Sequence, residues 1–118
     1  MDAIFRECDH ISHVFESMYV NKSVVVCNNP SNMFHLQIIL SQQLFPVETL
    51  CHENFTETIN RFNQGHIRMM IMSELIFYVL TKYRPDVLEH VNVIFKSGKS
   101  QLIGNYQHGD KKIISLCE

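Results

Sequence analysis

The sequence predicts an α/β fold, a three-layer domain with a mainly parallel sheet and helices on both faces. Three observations predict it. Residues 23–27 read Ser-Val-Val-Val-Cys, a continuous β-branched run of the kind found where a parallel strand is covered on both sides. Strand-like and helix-like patterns then alternate along the chain. The turns between them are short and polar, which suits crossovers within one sheet.

The elements follow in order. Ile4, Cys8, Ile11, Phe15 and Met18 recur at spacings of four and three, the stripe of an opening amphipathic helix, with Arg6, Glu7, Asp9 and Glu16 placed elsewhere around it. Asn28-Asn29-Pro30 stops the first strand. Ser31 is a candidate cap for a second helix, whose apolar face is Met33, Leu36, Leu40 and Leu44 and which Pro46 closes. Residues 47–51 form a short strand. Asn54 or Thr56 can cap a short helix carrying Phe55, Ile59 and Phe62 on one side, with Gly65 as its stop. Residues 67–72 are the next strand, 75–80 an apolar run that fits either period, 91–95 a strand and 112–116 a closing strand.

The 118 residues fit one domain, and 46% hydrophobic residues supply one core. Charged residues make up 19% and the net charge is −2, which excludes both a disordered polyelectrolyte and a general nucleic-acid binder, so any RNA site would be local. No apolar run approaches the roughly 20 residues of a membrane span, and residues 1–10 lack a signal layout, so the chain reads as neither secreted nor membrane-spanning. Cys8, Cys27, Cys51 and Cys117 are scattered singly beside apolar segments and read as reduced, buried thiols.

The order of elements, with Val26-Cys27-Asn28 ending the first strand, Phe62 and Gly65 ending the short helix, and Ser73-Glu74 ending the third strand, resembles the second RecA-like lobe of DEAD-box RNA helicases across residues 23–116. In that family the third strand ends in threonine and aspartate, of which Ser73 and Glu74 are close chemical replacements. The likeness then departs. The family continues with an arginine-glycine segment that grips RNA and a later motif whose arginines contact nucleotide phosphates. Residues 75–80 and 99–108 stand there without an arginine. Phosphoryl transfer depends on positioned positive charge, an arginine finger being worth roughly 10³ to 10⁵ in rate, so the resemblance implies a lobe without catalysis and without a cofactor. An isolated inactive lobe of this type is similar to the N-terminal helicase-C-like domain of Yb-type Tudor proteins of the piRNA pathway. That likeness implies self-association, as a dimer or larger, other piRNA-pathway proteins as partners, and a place in perinuclear cytoplasmic granules.

Other constellations carry less. Gly98-Lys99-Ser100 looks like the end of a phosphate-binding loop, but Val93 stands where the upstream glycine is required, so it reads as a polar turn. Cys27, between a strand and a helix, could be a thiolate nucleophile. A phosphatase of that design needs an arginine six positions on, where Met33 stands, so Cys27 reads as a small residue closing the strand. The seven histidines do not pair with cysteines at zinc-site spacing, so no metal site is expected.

Three surfaces remain as candidates, one of them the opening helix, whose heptad-like spacing marks either a protein contact or a face packed back on its own sheet. Leu75, Ile76, Phe77 and Tyr78, with Tyr83, form an apolar segment where the parent lobe is polar, which marks either a protein contact or a core helix. Lys96, Lys99, Lys111 and Lys112 could form a residual RNA-facing patch, with Tyr106 as the aromatic between them, or be ordinary solvated loop residues. The sequence therefore favours a self-associating interaction module, with a vestigial RNA-binding lobe acting beside a separate helicase core as the rival.

Overall fold

A computed structural model describes residues 2–98 and 109–116. It contains α1 (Asp2–Ser17), β1 (Lys22–Cys27), a 3-10 turn (Pro30–Asn32), α2 (Met33–Gln43), β2 (Glu48–Thr49), α3 (Phe55–Asn63), β3 (Met69–Ser73), α4 (Glu74–Tyr83), a second 3-10 turn (Pro85–Leu88), β4 (Val91–Ser97) and β5 (Lys112–Leu116). The five strands form one all-parallel sheet in the order β2-β3-β1-β4-β5. This is the three-layer α/β arrangement expected from the sequence, and it is consistent with a RecA-like fold.

Strand β1 organises the layers, because it pairs with β3 on one side and β4 on the other. Its side chains alternate between two cores. Val25 and Cys27 pack with Ile4, Cys8 and Ile11 of α1 and Leu36 and Leu40 of α2. Val24 and Val26 pack with Ile59 and Phe62 of α3 and Phe77 and Leu80 of α4. So α1 and α2 cover one face of the sheet and α3 and α4 the other. A strand apolar on both faces is what this sandwich requires, and a central strand meets that demand with β-branched residues.

Several local features explain where elements begin and end. Ser31 does not cap α2: Asn29 caps the preceding 3-10 turn, accepting from Ser31 N (3.1 Å) and Ser31 Oγ (2.7 Å), and α2 follows from Asn32 without a side-chain cap bond. Gly65, at φ 83°, ends the turn after α3, with His66 N donating to Arg61 O at 2.9 Å. Lys22 Nζ donates to Phe62 O (2.7 Å), placing a cation at the carboxyl end of α3. Opposite Lys22, β4 carries a bulge, and its extra residue Asn92 ties down the α1–β1 loop: it accepts from Asn21 N and donates to Tyr19 O.

Helix α1 packs back on its own sheet through the expected apolar stripe. One side chain departs from the expected polar side: Glu7 is buried, and Ser97 Oγ at the end of β4 donates to its Oε1 at 2.8 Å. Burial raises the Glu7 carboxyl above the ordinary carboxylate range, and the Ser97 bond offsets part of that. With a folded pKa above the unfolded one, folding takes up a proton between the two values. Stability then falls as pH rises through that interval and stays lower at neutral pH. Glu7→Gln keeps an acceptor for Ser97 without the buried charge. It should raise the melting temperature at pH 7, and the gain should shrink as pH falls through the carboxylate range in calorimetry across pH.

Candidate interaction surfaces

In an open parallel sheet the chemistry-bearing end is the carboxyl end of the strands, where the connections of neighbouring strands leave for opposite faces. Here that point lies between β1 and β3, since β1 leads into α2 on one face and β3 into α4 on the other. The register brings the sequence-predicted motif positions together there, with Cys27 opposite Ser73 on one side and Ser97 on the other. Asn28 N donates to Ser97 O at 3.0 Å. Gly98, at φ 82°, presses on the same turn, where an added Cβ would lie 3.0 Å from Asn28 Cβ. Asn28 and Gly98 are thus in close contact at this end.

The groups gathered there are structural in their bonding. Ser73 caps α4, its Oγ accepting from Ile76 N at 3.2 Å. Ser97 serves Glu7. Burial pushes the Cys27 thiol up to about 12, and the nearby Glu7 carboxylate adds to this against the opposing Ser97 bond. A thiol in that state is no nucleophile near neutral pH.

Three of the four arginines are bonded elsewhere in the fold. Arg61 pairs with Glu48, Arg84 with Asp86 (3.1 Å), and Arg68 donates to Val20 O (2.8 Å) and Asn21 O (3.3 Å) at the amino end of the sheet. No group of three or more histidine, cysteine, aspartate or glutamate side chains that could hold a metal occurs among the described residues, nor is any helix among them long and apolar enough to cross a membrane.

The lysines do not converge. Lys112 registers with Val93, which points to the α1/α2 core, whereas Lys96 registers with Val26, which points to the α3/α4 core, so the two project from opposite faces of the sheet. Lys111 Nζ donates to Val91 O (2.9 Å) and Glu89 O (3.5 Å) and so bonds to the fold itself. Lys99 lies outside the described residues, as do Ser100 and Tyr106.

The apolar run 75–80 is a helix, and it divides. Phe77 is 1% exposed and Leu80 is buried, both facing the sheet, with Ile76 partly packed against the same core. Leu75 (69% exposed) and Tyr78 (40%), three residues apart, share the outer side, and Tyr83 is exposed at the helix end. Phe77 therefore belongs to the core and not to a contact surface, because the 3.6-residue period turns it inward.

A second apolar surface was not anticipated. On α2, Phe34 (73% exposed) and Ile38 (54%) stand one turn apart on the outer side. Their spacing was legible in the sequence, but the inward stripe Leu36 and Leu40 drew the attention. Beside them, between α2 and the edge strand β2, runs an open groove of about 580 Å³ lined by Met33, Phe34, Gln37, Thr49 and Cys51 among others.

Much of the outward backbone at and around β2 is already bonded to side chains of the same chain. Ser41 Oγ accepts from Val47 N (3.1 Å) and donates to Val47 O (3.3 Å), while Asn54 accepts from Cys51 N (2.9 Å) and donates to Thr49 O (3.1 Å). A further strand would have to displace these bonds to extend the ladder.

Of the expected buried thiols, Cys8 and Cys27 are buried and Cys51 is only half-buried, in the groove; Cys117 lies outside the described residues. No protein-family model matches the chain, and no curated protein matches it.

Two measurements check this assignment. Alkylation of the native protein at pH 8, mapped by peptide mass, should modify Cys51 and leave Cys8 and Cys27, whose thiols burial holds at about 12, untouched until the chain unfolds. Phe77→Asp should unfold the domain, a buried unpaired charge costing more than about 4 kcal/mol, whereas Leu75→Asp should lower the unfolding free energy from urea titration by less than about 1 kcal/mol.

Proposed function

We propose that this chain is a non-catalytic protein-interaction and self-association module, a degenerate helicase C-terminal lobe that supports assembly of a cytoplasmic, perinuclear ribonucleoprotein granule of the piRNA pathway. The observation that carries the self-association is the exposure of apolar side chains on the outer sides of helices on both faces of the sheet: Phe34 and Ile38 on α2, Leu75 and Tyr78 on α4. Contiguous exposed apolar surface on a small domain marks a contact with another protein. The granule and its pathway come from the resemblance of the degenerate lobe to the helicase-C-like domain of Yb-type Tudor proteins, in which other pathway proteins are the further partners.

The chemistry of the strand ends supports a module without turnover. The thiol there is held protonated by burial, and Arg61, Arg68 and Arg84 are bonded elsewhere in the fold. The separation of Lys96 from Lys112 across the sheet weighs against the rival, a vestigial RNA-binding lobe. Multi-angle light scattering on size-exclusion fractions at low and high salt separates the two. The expected result is an oligomer whose mass does not change with salt, since apolar contact is not screened. A monomer that binds single-stranded RNA with an affinity falling steeply as salt rises would overturn the reading in favour of the RNA-binding lobe.

A further inference from the structure

The two exposed apolar surfaces differ in charge, and the difference selects one of them. Between Lys22 and Glu48 the chain has no aspartate, glutamate, lysine or arginine, and α2 lies wholly within that stretch, with His35 its one titratable group. The other helices all carry ionised residues: Arg6, Asp9 and Glu16 on α1, Glu57 and Arg61 on α3, Glu74 and Lys82 on α4. A solvent-facing helix ordinarily owes its solubility to charge on the outer side. On α2 that side presents Phe34, His35, Ile38 and Gln42 instead, with no carboxylate, lysine or arginine.

An uncharged face restricts what can cover it. An acidic or basic partner, nucleic acid included, would bury its own charge there with nothing to pair it. A second copy meets no such cost. A two-fold axis sets each residue near it opposite the same residue of the other copy, so a charge there would meet its like, and a surface without charge is electrostatically complementary to itself.

The shape agrees. Phe34, Ile38 and Gln42 are spaced four apart and form one ridge, with Ile38 at the midpoint of the helix. The groove between α2 and β2 runs beside that ridge, and the one charged side chain of its lining, Glu48, is already paired with Arg61. Ridges of this spacing interdigitate at a crossing angle of about −50°.

We propose that the chain forms a two-fold dimer through α2, with Ile38 on the axis and the Phe34 ridge of each copy seated beside the α2–β2 groove of the other. This rests on the self-association reading and gives it a surface and a symmetry. The bonding of Val47, Thr49 and Cys51 to Ser41 and Asn54 leaves helix packing rather than strand pairing as the mode of contact at this end of the sheet.

The test uses Ile38→Lys and Ile38→Asp, each checked for folding by circular dichroism, a substitution this exposed position tolerates. Light scattering should show the wild type as a dimer and each variant alone as a monomer, because like charges meet on the axis. An equimolar mixture should recover the dimer mass, because lysine then faces aspartate. Leu75→Asp should remain dimeric.

Variants that stay dimeric alone would overturn the α2 interface while leaving self-association standing. Variants that are monomeric both alone and mixed would overturn the two-fold axis at Ile38. A wild type that is monomeric at every concentration would overturn self-association itself.

Discussion

A strand with a neighbour on each side and a core on each face has no residue to spare for water, and β1 is held under that constraint along almost its whole length. Ser23 to Cys27 are all buried. Val24 and Val26 serve one core, Val25 and Cys27 the other, and the parallel ladders to β3 and β4 fix which residues of those strands join each. From that, much of the rest is determined. The connections from β1 to β4 cross by helices on both faces, and the carboxyl ends of three strands meet in register at Cys27, Ser73 and Ser97.

The legibility of the chain follows the same logic. The β1 strand could be recognised because burial on both faces demands an uninterrupted apolar run, a pattern with few other uses. The α1 stripe could be recognised because one face of a helix leaves a 3.6-residue period, and the closing strand 112–116 was found at its observed bounds. The run 75–80 was ambiguous because its residues are apolar on every side. Only the sheet beneath decides that Phe77 and Leu80 turn in while Leu75 and Tyr78 turn out. Ser73 shows a related limit. As a motif position it suggested inherited chemistry, yet its side chain caps α4, a role that any strand-to-helix turn can assign to a serine.

Glu7 was misplaced for a different reason. It stands three residues after Ile4 and four before Ile11, the apolar spacing itself, so the period already put it on the inner side. What the local pattern lacks is its partner, since Ser97 is ninety positions away in sequence. Long-range polar pairs of this kind are invisible to any reading of local periodicity. The outer side of α2 carries no motif, because what distinguishes it is the absence of aspartate, glutamate, lysine and arginine from a whole stretch of chain.

The side chains of Ser41 and Asn54 have a consequence at high concentration. Wherever copies of a domain are crowded together, an open sheet edge is a template, and strand-to-strand recruitment leads towards fibrous, kinetically irreversible material. Here the amide and carbonyl of Val47, the amide of Cys51 and the carbonyl of Thr49 are already occupied, by a hydroxyl and a carboxamide from the same chain, which makes that edge a poorer seed. Contacts left to helix faces are discrete and release on dilution. On its β2 side the domain is thereby biased away from strand recruitment, which is the difference between a reversible contact and a deposit.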